Sequence, residues 1–190
     1  MKYPILFLVV SLMLNGLFAQ DVTQKTMIGL RNNTPAALSD KTFYVTDPGR
    51  QGSFVYDPSD KKTADDSVMT LVTAEGLRFK RVTDQNMVNV RWFGATGNGS
   101  TDDWYAIQKA INYLLTSTTA GRTLYFPSGT YKISQPLMIA RLDKTGYSQV
   151  SINLQGPANA KDLAVGLACI APSFNNTFAI GVQLGKGVLI

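Results

Sequence analysis

The stretch from Val88 to Ser134, VNVRWFGATGNGSTDDWYAIQKAINYLLTSTTAGRTLYFPSGTYKIS, limits this chain more than any other. A strand-like run enters a glycine loop, a one-sided helix follows, and two short strands flank a Pro-Ser-Gly turn. Trp104, Ile107, Ile111 and Leu114 recur at helical spacing and form one apolar face, while Tyr105, Gln108, Lys109 and Asn112 form a wetter one. Such a helix must lie on something apolar, and strands follow it at once. Ser100 and Asp103 have the spacing of a capping box, so the helix is expected to start there, with Asp102 and Asp103 favoured by its dipole. Gly121 is the expected stop.

The glycine loop Gly94-Ala-Thr-Gly-Asn-Gly99 lies where a phosphate cradle would. Its spacing is G-x-x-G-x-G and no Gly-Lys-Ser/Thr follows. Two aspartates at the helix start would repel a phosphate there, so nucleotide binding is excluded and glycines at positive φ are expected. Asp102 and Asp103 do not form a catalytic pair either, because adjacent helical residues point in different directions.

The chain opens with Met1-Lys2 and an apolar run from Ile5 to Phe18, then the small residue Ala19. This pattern predicts a secretory signal peptide over 1–19, although Leu17 departs from the small-x-small rule. The alternative, an uncleaved anchor, would need about 18 apolar residues or more. The expected location is secreted, periplasmic or extracellular, with no membrane contact after cleavage.

From 20 to 84 the chain reads as a small β leader unit. Strands are expected at Lys41–Val45, Ser53–Tyr56, Ser67–Val72 and Leu77–Val82, separated by Asp47-Pro-Gly and Asp57-Pro-Ser-Asp turns. Asp65-Asp66 lacks the spaced oxygen ligands of a calcium loop and reads as a solvated turn.

The sequence has one cysteine and no histidine. Cys169 lies in the apolar run LACIA and reads as a small hydrophobe. The missing histidine excludes a Ser-His-Asp triad, a Cys-His pair and a His-ligated zinc within these residues. The net charge is +5, but Lys and Arg are dispersed, which argues against nucleic acid as a partner. After the helix, Leu124 with Phe126, Tyr131 with Ile133, Val150-Ile152-Leu154 and Phe178-Ile180-Val182-Leu184 alternate with polar or small residues. Period two means half-buried strands, of a sandwich or of a solenoid.

The residues from Val90 to Ile111, with WFGATGNGSTDD and AIQ, and from Gly121 to Ser134, with FPSGTY, resemble the opening of pectate-lyase-type right-handed parallel β-helix proteins. These include the rhamnogalacturonase/epimerase-like and polygalacturonase-related families. The leader more loosely resembles units that precede such helices, phage tailspikes included. The resemblance implies an all-β, right-handed parallel β-helix over 85–190, its first coil capped by the helix. It also implies a polysaccharide substrate along the outside of the coils. Lyases of this kind use calcium held by acids together with a basic residue, and hydrolases use aspartates. Those groups sit on later coils, so no catalytic, cofactor-binding or metal residue is assigned here. Calcium is expected only in a complete lyase.

Gly187-Val-Leu-Ile190 is apolar, and only two coils follow the helix where about three repeats are needed for stability. The expectation is an N-terminal fragment, inactive alone, of a secreted polysaccharide-acting protein. The alternative is a non-catalytic adhesin, surface fibre or tailspike-like glycan binder.

Overall fold

The structure is a computed structural model that describes residues 22–32, 38, 42–83, 87–117, 123–139, 142–143, 146–147, 152–157, 168–172 and 180–182. The expected signal peptide, the Gly121 stop, Val150, Phe178, Leu184 and the terminal apolar run lie outside these residues.

The first part is one five-stranded sheet, ordered β1 (Val22–Lys25), β2 (Thr42–Val45), β3 (Gly52–Tyr56), β5 (Arg78–Arg81) and β4 (Thr70–Val72). The last four pair antiparallel, and β1 adds in parallel to β2. A short helix α1 (Met27–Arg31) makes the connection after β1, its Thr26 hydroxyl accepting from Gly29 N–H. Phe43, Val45, Phe54, Leu71 and Phe79 close a small core with Met27 and Leu30. Three of the expected strands appear within a residue or two of their predicted bounds. The third does not: Ser67, Val68 and Met69 precede the strand, because the Asp66 carboxylate accepts the N–H groups of Val68, Met69 and Thr70 at 2.8–2.9 Å. Three amides bound to one oxygen bend the backbone away from an extended path. Asp65 accepts from Ser67 and Val72 N–H and pairs with Arg31 at 2.7 Å. The Asp65-Asp66 turn is therefore organised by its own carboxylates rather than merely solvated.

The second part stacks parallel strands. Strand β6 (Met87–Asn89) pairs with β8 (Thr123–Tyr125), and β8 with β13 (Asn153–Gln155). Strand β7 (Asn98–Asp102) pairs with β9 (Gly129–Ile133), and β9 with β14 (Ala168–Pro172). Strand β10 (Leu137–Ile139) pairs with β15 (Ile180–Val182). The order along the chain repeats, so each pass lays its strands beside those of the pass before. Val88, Leu124 and Leu154 come into register on one face. The first two are fully buried, and Leu154 is 37% exposed on the outermost described strand of that sheet. A small antiparallel pair, β11 (Leu142–Asp143) with β12 (Gly146–Tyr147), branches off between passes.

Helix α2 (Trp104–Thr116) lies on this stack. Ile107, Ala110, Ile111 and Leu114 share one core with Val88, Val90, Leu124, Tyr131, Ile133 and Leu137. The predicted apolar face is correct, but the predicted start is not. The helix begins at Trp104, and Ser100 and Asp102 lie in β7. Asp103 is the N-cap residue without a side-chain cap bond, because its carboxylate is spent on the glycine loop.

Gln108 also differs from its expected wet role. Its amide donates to the Met138 carbonyl at 2.9 Å and accepts from Met138 N–H at 2.8 Å. It thus pairs with β10 as a neighbouring strand would, satisfying one donor and one acceptor at the sheet edge. Trp104 Nε1 donates to the Pro136 carbonyl at 3.0 Å just before that strand.

Candidate functional site

The residues most suggestive of chemistry in the sequence are Asp102 and Asp103, and the structure splits them. Asp103 is 1% exposed and faces the loop. Its Oδ1 accepts from Thr96 N–H at 2.7 Å and from the Thr96 hydroxyl at 3.1 Å, and its Oδ2 from Gly97 N–H at 2.9 Å. Asp102 faces the other way. Its Oδ1 accepts from Trp104 and Ser134 N–H, both at 3.1 Å, and Oδ2 takes a short bond from the Ser134 hydroxyl. That hydroxyl, with the Trp104 and Ser134 amides, holds the Asp102 carboxyl below the usual carboxylate range. One acid fastens the loop and its neighbour ties the helix start to the end of β9.

The glycines complete this interlock. Gly94, Gly97 and Gly99 all have positive φ, as expected of the loop. A Cβ on Gly97 would sit 2.9 Å from the Tyr131 ring, and one on Gly129 would sit 2.5 Å from the Gly97 carbonyl. That same carbonyl accepts from Thr130 N–H at 2.9 Å. Tyr131 is fully buried, stands edge-on to Phe126 with ring centres 5.4 Å apart, and donates its hydroxyl to the Pro127 carbonyl at 2.7 Å. Burial pushes the Tyr131 phenol up. The loop and the FPSGTY turn are therefore one packed unit. Both aspartates are engaged in holding these elements together, though not through the expected capping box.

A cleft of about 650 Å³ opens between the leader sheet and α2, lined by Asp57, Asp60, Asp66, Lys80, Arg81 and Tyr113 among others. Its charges serve one another. Lys80 pairs with Asp60 at 2.5 Å and donates to the Thr70 hydroxyl at 3.1 Å. Lys80, then Thr63 and Lys62 N–H, pull the Asp60 carboxyl far below its ordinary value. The Ser59 hydroxyl leads in lowering Asp57. Among the described residues no group of three or more acids, cysteines or histidines is placed to hold a metal.

Arg81, on the wall of this cleft, was not legible as special in the sequence. It is 6% exposed, with its guanidinium 4.4 Å from the Phe54 ring centre and 4.5 Å from that of Trp92. It donates to the carbonyls of Val68, Gln51 and Arg50 at 2.9–3.1 Å. Burial, then the Arg50 charge, brings its pKa down to about 10. Trp92 belongs to a 3-10 turn (Val90–Phe93) that leads into the glycine loop and donates Nε1 to the Gln51 carbonyl at 3.1 Å. Arg81 and Trp92 together fix the leader sheet to the parallel stack. Helix α2 is not long and apolar enough to cross a membrane, nor is any other described helix.

An antiparallel leader sheet locked onto stacked parallel strands, with an interlocked glycine loop at their junction, defines a recognisable class. Residues 87–164 match the family described as rhamnogalacturonase A/epimerase, pectate lyase-like. Residues 23–84 match the phage tail protein small four-stranded beta-sheet domain. Residues 87–164 are thus similar to the pectate-lyase-like family that the sequence resembles.

Over 57 residues the chain is 44% identical to a probable glucan endo-1,3-beta-glucosidase of Arthroderma benhamiae, covering 26% of this chain and 6% of that protein. Over 46 residues it is 50% identical to alginate lyase 7 of Azotobacter vinelandii, covering 24% and 5% respectively. The tailspike protein of Acinetobacter baumannii phage AM24 superposes with a TM-score of 0.52 at 21% identity, covering 86% of this chain and 29% of the tailspike. That last likeness is one of fold. The chain spans less than a third of the tailspike and a few per cent of the two enzymes.

Proposed function

We infer that this chain forms the leader and the first coils of a right-handed parallel β-helix in a secreted protein that acts on polysaccharide. Residues 20–84 are the leader, 85–190 carry the stack, and α2 closes the stack's first coil. The observation that carries this reading is the in-register stacking of Val88 and Leu124, continued by Leu154 on the next strand, with the apolar face of α2 entering the same core as Val88 and Leu124. A stack open at that end would expose those side chains to water. The matches to a rhamnogalacturonase/epimerase family and to short stretches of a glucanase and an alginate lyase support polysaccharide as the substrate class. The engaged state of Asp57, Asp60, Asp66, Asp102 and Asp103 supports placing the catalytic groups outside the described residues.

The test is to assay residues 20–190 beside the full product of the gene on pectin, polygalacturonate, rhamnogalacturonan, β-1,3-glucan and alginate. Unsaturated products report a lyase and new reducing ends a hydrolase, each with and without calcium. Turnover is expected from the full product and not from residues 20–190. Turnover by residues 20–190 that is lost in Asp102→Asn, with the fold intact, overturns the assignment of that aspartate to structure.

A second reading, a non-catalytic or fibre-like spike that binds glycan, draws on the phage-tail match of the leader. Binding without turnover by the full product would select it.

A further inference from the structure

Beyond the aspartates, the cleft and Arg81, the outer face of the first parallel sheet presents a polar and aromatic surface next to the leader joint. Side chains alternate along a strand, and Val88 and Leu124 are fully buried, so their neighbours Asn89 and Tyr125 fall on the outer face. Pairing sets Asn89 beside Tyr125 and Tyr125 beside Gln155. The three form an amide–aromatic–amide row across β6, β8 and β13, with rungs about 4.8 Å apart. Tyr125 and Asn89 are half-buried and Gln155 is exposed.

Beside this row lies a pocket of about 220 Å³ lined by Val82, Met87, Asn89, Trp92 and Tyr125. Its walls are preset. Trp92 is held by Arg81 against its ring and by its bond to the Gln51 carbonyl. Asn89 Oδ1 accepts from Arg91 N–H at 2.9 Å, so the amide's N–H groups are the donors it offers a ligand. No Asp, Glu, Lys or Arg lines the pocket.

We propose that this row is a subsite for one neutral sugar ring of a polysaccharide, seated with its C–H face on Tyr125 and its hydroxyls on Asn89 and Gln155. The proposal rests on the polysaccharide reading above and adds a place and a chemistry to it. A sugar ring has an apolar face and a polar edge, which matches an aromatic floor between amides. The pocket is smaller than the roughly 300–1,000 Å³ of sites for drug-sized ligands, which suits a single ring. A uronate would find no cation in the lining to balance its charge.

The test uses the full chain, with laminaran oligosaccharides as the neutral probe and alginate oligosaccharides as the acidic one. Binding is read by saturation-transfer NMR and by titration. The neutral probe is expected to bind, Tyr125→Ala to weaken it about tenfold, and Gln155→Ala to weaken it less. Tyr125→Phe should keep most of the affinity, since the ring is retained. Unchanged thermal unfolding of each variant keeps a loss of binding distinct from a loss of fold. If the neutral probe binds and Tyr125→Ala binds it equally well, the subsite falls while the polysaccharide reading stands. If only the acidic probe binds, the neutral-sugar assignment falls and the wider reading again stands. Binding of neither probe, together with no turnover by the full gene product, overturns both.

Discussion

The leader sheet and the parallel stack solve the same problem, fixing strand register, by different means. In the leader, antiparallel strands are joined by short connections, and carboxylates inside those turns set the geometry. Asp66 gathers three consecutive amides, Asp65 reaches across to Val72, and Asp60 ties Lys62, Thr63 and Lys80 together. In the stack, parallel partners lie a whole pass apart in sequence, so no single turn can set their register. There the register is held at a distance. Asp102 bonds Ser134, Gly97 accepts from Thr130, and Gln108 pairs with Met138, each across about thirty residues. The leader's antiparallel strands thus draw much of their register from local turns, with Arg31–Asp65 and Arg81 as longer ties, while the stack depends on latches throughout. Damage to one latch is expected to spread further than damage to one turn.

The largest effect is expected from Ile107→Asp, which buries a charge without a partner in the shared core and should cost at least about 4 kcal/mol. Chemical denaturation, with aggregation followed by light scattering, measures it. Gln108→Ala, on the same helix but at the edge of β10, should cost about 1 kcal/mol per lost hydrogen bond. Equal stability of the two variants would show that α2 does not seal the core.

Asp103→Ala comes next. It strips the acceptor from two amides and a hydroxyl in a buried place, at an expected cost of about 3 kcal/mol. Amide hydrogen exchange should report opening at Thr96 and Gly97 and also at Thr130, across the interlock. Opening confined to residues 96 and 97 would mean the loop and the FPSGTY turn are not one unit.

In the leader, Arg81→Lys should cost about 2 kcal/mol although the charge is kept, because an ammonium cannot reach three carbonyls while stacked between two rings. Wild-type stability in that variant would reduce Arg81 to a buried point charge.

The smallest effect is pH-dependent. The folded Asp102 carboxyl titrates below its unfolded value of about 3.9. Its contribution is therefore complete above that value and is lost as pH falls through the lower, folded one. Asp102→Asn should therefore lower stability at neutral pH, and its difference from wild type should shrink as pH falls through the acid window. A difference that stays the same in acid would show that the latch does not depend on the ionised carboxylate.

These contrasts also divide what could be read from the residues. The apolar face of α2 was legible, because helical spacing of Ile107, Ile111 and Leu114 has one reading once strands surround it. So were four strands of the leader, apart from 67–69, and the positive φ angles of Gly94, Gly97 and Gly99, whereas β1 and the short helix after it were not. The helix start was misplaced because Ser100 and Asp103 satisfy a local rule. The rule was overridden by acceptors and donors that are distant in sequence, Ser134 for Asp102, or on the loop behind, Thr96 and Gly97 for Asp103. Arg81 gave no signal, since an arginine at the end of a strand is usually solvated and only the approach of Phe54 and Trp92 makes this one a buried joint.

The sequence alone determined four of the leader strands, the one-sided helix and the exclusion of histidine chemistry, because period, composition and backbone freedom are local properties. It also carried the family likeness, through the density of FGATGNGSTDD and FPSGTY. Tertiary structure decided which partner each carboxylate takes, how Gln108 serves a strand edge, and which side chains line the outer face of the first parallel sheet. These depend on groups brought together from different passes of the chain. Only the folded arrangement sets Tyr125 between Asn89 and Gln155, because parallel register joins residues that the sequence separates by a full turn of the stack.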